Sequence, residues 1–213
     1  MTRTTRGMSD IQPNSKKSQK YQRILEAAIR VFARQGFYSS TISQVAREAG
    51  VADGTIYLYF KNKNDILDHF FSFKTAQIFA KFKEEVGQAD NALDKLRKLI
   101  YMHLREFELN RELAVVYQVE TKVKRRLSDQ KIKELSDMYF NLVSSIINQG
   151  QNEGVIRKNL PIALVKQVII GAIDEVITTW VYSSGKYTPS SMANSLVDIF
   201  IHGIGKAETA DRA

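Results

Sequence analysis

Residues 49 to 66 read AGVADGTIYLYFKNKNDI, and the groups there that can do chemistry are the alcohol of Thr55, the phenols of Tyr57 and Tyr59, and the ammonium groups of Lys61 and Lys63. Hydroxyls and ammonium groups at this spacing suit phosphates and base edges: polar and basic groups on phosphates fix register, while few residues read bases. Thr55 can bond a phosphate or sit near a thymine methyl. For Tyr57 two readings stand side by side, contact with a base or a half-buried ring with a wet hydroxyl tip. For Tyr59 the phosphate is expected. No metal site and no catalytic residue is expected. The chain has no HExxH, no GxSxG, no glycine-rich phosphate loop and no metal-ligand cluster. It has no cysteine, which excludes disulfides, thiolate zinc sites and a cysteine nucleophile.

The elements that must position these groups follow from periodicity. Between Gln19 and Arg34, Ile24, Ala28, Val31 and Phe32 recur at helical spacing, and Gly36 ends the helix. Thr41-Ile-Ser-Gln44 is a capping-box pattern that opens a short helix with Ile42, Val45, Ala46 and Ala49 inward. Gly50 closes it and permits a left-handed turn, while Gly54 permits close backbone approach. A third, short helix then starts around Ala52 to Thr55, with Ile56 and Phe60, four apart, facing the core. Two short helices joined by a glycine-containing turn are the layout of a helix-turn-helix, whose second helix lies in the major groove of DNA.

The run TISQVAREAGVADGTIYLYFKNKNDIL, residues 41–67, closely resembles the DNA-binding motif of the TetR family of bacterial repressors. Val45, Ala46, Ala49, Gly50, Val51, Gly54, Thr55, Tyr57, Tyr59, Phe60 and Lys63 fill the family's pattern, whereas Ala52 stands where serine is frequent and Asn64 where an acid is common. The resemblance implies double-stranded DNA, a near-palindromic operator, as partner. With the local reading it gives Thr41, Ala52, Asp53, Gly54, Thr55, Tyr57, Leu58, Tyr59, Lys61 and Lys63 as the DNA-contacting set, Lys63 on a phosphate.

Beyond this motif the fold class is all-α. A long helix is expected from about 63 to 86, shared by both domains and so a lever between them; it carries five phenylalanines from Phe70 to Phe82. Further helices are expected at about 91–109, 111–123, 129–152, 161–184 and 188–205. The domain reading is a disordered basic arm over 1–18, a helix-turn-helix domain over 19–66, and a helical ligand-binding and dimerisation domain over 67–213. Helix 161–184 is apolar almost all round and must be covered on every side. Helix 188–205 carries Met192, Leu196, Ile199, Phe200, Gly203 and Ile204 on one stripe. A second copy is the expected cover. The TetR resemblance implies the same, a homodimer through the last two long helices.

A second, weaker resemblance is to the FadR branch of that family, the acyl-CoA-responsive repressors of fatty-acid degradation. It rests on GVADGTIYLYFKNKNDIL, on LAVVYQVE at 113–120 and on GAIDEVITTWV at 171–181. It implies a long-chain acyl-CoA as effector and no other cofactor. Abundant Ile, Val, Phe and Leu could line a tunnel for the chain. Lys122, Lys124, Arg125, Arg126, Lys131 and Lys133 face only Asp129 in sequence. They could hold the CoA phosphates or form a solvated basic turn. Phe79, His103, Phe107, Arg111, Tyr117, Tyr139, Val143 and Trp180 complete the candidate ligand set.

Charge agrees with a polyanion partner. The net charge is +8, and residues 1–80 hold 12 Lys/Arg against 6 Asp/Glu. Charged residues interrupt the apolar stretch 161–182, so no membrane span and a cytoplasmic location are expected. The function expected is an operator-bound repressor released by acyl-CoA. The alternatives are a repressor responding to another hydrophobic molecule, such as a drug, and, remotely, an acyl-CoA-processing enzyme.

Overall fold

The computed structural model describes residues 16–121, 130–183 and 187–204, and among these only helices, turns and bends occur. The helices are α1 (Lys16–Gln35), α2 (Ile42–Ala49), α3 (Asp53–Ile56), α4 (Lys63–Gly87), α5 (Ala92–Leu109), α6 (Arg111–Val115), α7 (Gln130–Glu153), α8 (Ile162–Tyr182) and α9 (Ala193–Ile204). A π-helical segment, Val116–Thr121, follows α6, and a 3₁₀ turn, Pro189–Met192, precedes α9. The chain forms two compact units, dividing between Phe71 and Ser72 inside α4.

The first unit is built on α1. Its expected stripe is realised, with Ile24, Ala28, Val31 and Phe32 buried, as are Val45, Ala46, Ile56 and Phe60 of the same unit. Helix α1 starts three residues earlier than expected: Lys16, Lys17 and Ser18 are helical, and Ser18 is buried. The rest of the expected arm lies outside the described residues. Thr41 caps α2 in a true capping box, accepting from Gln44 N–H while the Gln44 side chain accepts from Thr41 N–H. Gly50 stops α2 at φ 63°, a left-handed conformation in which a side chain is strained.

The second unit packs α5, α7, α8 and α9 around Leu99, Ile100, Leu104, Ile146, Ile169 and Val197. Gly150 packs closely where α7 meets the turn after it: a Cβ there would lie 2.7 Å from Ile156 Cδ1, so the Ile156 side chain would have to shift. Two expected elements differ. The helix expected over 111–123 is one turn and a half of α-helix and then a π-helix. The stripe expected on the last helix is split: Phe200 is buried, but Met192 and Ile199 face outward and Ala193 and Val197 take the inward positions.

Candidate functional site

Two groups of residues stand out, one in each unit. In the first, α3 is a single turn held at both ends. Its N-cap, Ala52, offers no side-chain bond, so Ser43 Oγ on α2 bonds Asp53 Oδ2 instead. At its far end, Leu58, Tyr59 and Phe60 N–H groups donate back to Thr55 and Ile56 carbonyls. Ile56 and Phe60 are sunk in the core, as expected. Their burial turns the intervening residues outward: Tyr57 is 60% exposed and Leu58 80%. That excludes the half-buried-core reading of Tyr57. Ala52, Asp53, Gly54 and Lys61 are exposed as well, Thr55 and Tyr59 half-buried, and nothing lies within 4 Å of a Cβ placed on Gly54. The Tyr59 ring leans on Tyr21 and Phe60, each 6.3 Å away.

Helix α2 is clamped to α1 by ion pairs of Arg30 and Arg34 with Glu48. The hydrogen bonds from Arg30 and then Arg34 hold the Glu48 carboxyl below its usual range. At the start of α4, Asn62 Oδ1 accepts from Asp65 N–H and Asp65 Oδ2 accepts from Lys61 N–H, a reciprocal cap.

The Lys63 ammonium donates to the carbonyl oxygens of Phe37 (2.6 Å), Tyr38 (2.8 Å) and Ser40 (2.9 Å), and it lies 4.8 Å from the centre of the Phe37 ring. An ammonium has three N–H bonds, and all three are spent inside the unit. Lys63 ties α4 to the α1–α2 loop.

The second group is a chain of rings in the other unit. Phe79 of α4 stacks on Tyr139 of α7 (5.4 Å), and Tyr139 meets His103 of α5 edge-on (5.3 Å). His103 stacks on Phe107 (5.6 Å), and Phe107 packs against Tyr117 (5.3 Å). His103 Nδ1 lies 2.5 Å from the Tyr139 hydroxyl. Desolvation pushes the His103 imidazole down to about 4 and the Tyr117 phenol up to about 12, and it raises Tyr139 further still. Val143 and Trp180 are buried in the same unit.

Arg111 sits at the end of α8. It is exposed and donates to the Val181 carbonyl (3.0 Å) with its guanidinium 5.1 Å from the Trp180 ring centre. It satisfies an orphan carbonyl at the end of α8; the structure gives it no partner in the ring chain. Lys122, Lys124, Arg125 and Arg126 lie outside the described residues, as do the side chains of Lys131 and Lys133. Sequence reasoning missed Gln118 and Thr178, bonded to each other inside this unit (3.0 Å). The signal was there: Gln118 is the one amide in an otherwise apolar run, LAVVYQV.

Comparison with known proteins decides the family. The family model for the N-terminal region of bacterial regulatory proteins of the TetR family matches residues 24–70, and the model for the C-terminal region of YsiA-like proteins matches residues 71–203. The chain belongs to the TetR family. It is 38% identical over 188 residues to the fatty acid metabolism regulator protein of Bacillus subtilis (strain 168), covering 88% of this chain and 97% of that protein. The crystal structure of the transcriptional regulator FadR from Bacillus subtilis in complex with stearoyl-CoA matches with a TM-score of 0.78 over 86% of this chain and 99% of that one. The fatty acid degradation regulator FadR from Bacillus halodurans matches at 34% identity with a TM-score of 0.81, over 89% of this chain and 98% of that one. A more distant relative, the KstR2 repressor of Mycobacterium tuberculosis, is 26% identical over 86% of this chain and 92% of its own length. Membership of the TetR family makes the chain a transcriptional regulator and not an enzyme. Among the described residues, no helix is long and apolar enough to cross a membrane, and no cluster of metal ligands occurs.

Proposed function

We propose that this TetR-family regulator is a homodimeric, cytoplasmic repressor that binds a near-palindromic operator and leaves it when a long-chain acyl-CoA binds, controlling genes of fatty-acid degradation. The observation that carries the reading is the full-length likeness to the Bacillus subtilis regulator whose structure holds stearoyl-CoA. The geometry supports it. The α3 turn offers a backbone free of Cβ at Gly54, an exposed phenol at Tyr57 and an exposed ammonium at Lys61, all suited to a groove and its phosphate rails. The second unit offers a ring chain and many buried apolar side chains, the chemistry that suits a hydrocarbon chain leaving water.

The effector acts only through its different affinity for the operator-competent and operator-released states. An allosteric factor of about 5- to 150-fold is the ordinary range. The experiment is a mobility-shift titration with palmitoyl-CoA on an operator selected from a random pool. Operator affinity is expected to fall by roughly that factor. Unchanged affinity at micromolar palmitoyl-CoA, with release by a neutral hydrophobic compound instead, would reassign the effector while leaving the repressor intact.

A further inference from the structure

Asp53 carries the one carboxylate of the α3 turn, and it is exposed. It stands four residues before the exposed Tyr57, so the two share a face of that turn. Ser43 on α2 donates its hydroxyl proton to Asp53 Oδ2. Asp53 Oδ1 has no hydrogen-bond partner among the described residues. The pair therefore presents one held carboxylate with one oxygen open to the outside.

A carboxylate is at odds with a surface that grips DNA, because every phosphate nearby repels it. It is favourable there only against a hydrogen-bond donor. In the major groove the donors on base edges are the N4 amino group of cytosine and the N6 amino group of adenine. Adenine sets its N7 acceptor beside that amino group, so it suits an amide, which has a donor and an acceptor of its own. A carboxylate would meet the N7 lone pair with another lone pair. Cytosine sets only a C5–H beside its amino group. With Oδ2 held by Ser43, Asp53 keeps one acceptor oxygen for that one donor.

We propose that Asp53 Oδ1 accepts a hydrogen bond from the N4 amino group of a cytosine in each operator half-site, and that Ser43 is the positioning residue that holds the carboxylate for it. This assignment rests on the operator reading above and goes past it by naming a base. It makes Asp53 a specificity residue twice over. The carboxylate weakens attraction to DNA in general and favours one base pair in particular.

The test starts from an operator that the full wild-type chain selects from a random pool, followed by equilibrium binding at fixed salt. In one half-site each cytosine in turn is replaced by N4-methylcytosine. That base still pairs with guanine through one amino hydrogen, while its methyl group takes the place of the hydrogen that faces the groove. Wild-type affinity should fall about 5- to 150-fold at one cytosine, the ordinary cost of one wrong base pair. Asp53→Ala should bind the operator methylated there and the unmodified operator alike. It should also bind unrelated DNA more tightly than wild type, since a negative charge has gone; a variant that had merely lost its fold would bind both kinds of DNA less. Ser43→Ala should keep the melting midpoint and show a smaller methylation loss than wild type. A wild-type operator with no cytosine sensitive to methylation, or a sensitivity that persists in Asp53→Ala, would overturn the carboxylate contact while leaving the repressor intact. An undiminished loss in Ser43→Ala would overturn the positioning role of Ser43. Failure of wild type to select any operator would remove the DNA reading, and this assignment with it.

Discussion

Lys61 and Lys63 are two residues apart and do opposite things. The Lys61 ammonium is exposed beside the α3 turn, while that of Lys63 closes three carbonyls of the α1–α2 loop. Lys63→Ala therefore leaves three carbonyls without their donor and should destabilise the protein by about 2–3 kcal/mol, since bonds to a charged donor are worth about 1.5–3; urea unfolding measures it. Lys61→Ala should leave the unfolding midpoint in place and reduce the salt slope of operator binding by about 1. A Lys63→Ala protein of wild-type stability would return Lys63 to the phosphates. His103 gives a pH dependence. Its folded-state pKa lies near 4 against an ordinary 6.5, so above pH 6.5 both folded and unfolded chains carry it neutral and it contributes no pH slope. As pH falls from 6.5 towards 4, the unfolded chain takes up a proton that the folded chain refuses, and stability drops. The full loss at pH 4 is on the order of 3 kcal/mol, at 1.36 per unit. His103→Gln keeps a polar partner for Tyr139 and should flatten that part of the stability profile between pH 6.5 and 4.5; an unchanged slope would place the titration elsewhere.

Helix α2 is the element that aims α3, since its cap, its closing glycine and Ser43 fix both ends of the turn between them. Thr41→Ala removes one side of the capping box and should cost about 1 kcal/mol. Gly50→Ala forces a side chain into φ 63°, which costs about 1–2 kcal/mol. Both variants should lose operator affinity at temperatures well below the melting of the second unit, and an unchanged affinity near physiological temperature would show that α3 is aimed without α2. These local devices were legible in the sequence because each is a short pattern with one physical solution: TISQ for the cap, AGV for the stop, Ile56 and Phe60 for the inward face. What was not legible depends on partners far along the chain. Nothing near Lys63 announces that its acceptors lie 23 to 26 residues earlier. The π turn at Val116 reads as an ordinary helix because its residue types suit one. Gln118 gains its meaning only from Thr178, 60 residues on. The all-α class and the α4 boundaries followed from periodicity and from the scarcity of proline. The split faces of α9 did not, since Ile199 and Val197 are equally apolar and only packing tells which one is covered.

At the scale of the whole molecule, that split face is the argument for a second copy. Helix α8 buries Val165, Ile169, Ile173 and Ile177 in its own unit yet leaves Leu164 51% exposed, with Val168 beside it. Helix α9 does the same with Ile199, 65% exposed while Val197 and Phe200 are buried. Where apolar side chains exposed on α8 and α9 join into one patch, they are the surface that a second copy would cover. A twofold contact places one patch against itself, so a single substitution is felt twice. Ile199→Glu together with Val168→Glu should therefore convert the dimer to a folded monomer, with helical content kept because both side chains point away from the core. Native mass spectrometry reads the subunit number, and the operator titration reads the consequence. Two α3 turns set about 34 Å apart grip successive major grooves together, so a monomer keeps only half-site contacts and its apparent affinity should fall by at least a hundredfold, within the range that linking two sites gives. The loss should be larger on the intact near-palindrome than on an isolated half-site, where wild type and variant should bind alike. A double variant that remains dimeric would move the interface off α8 and α9. One that is monomeric but binds the full operator as tightly as wild type would show that recognition does not depend on the second head.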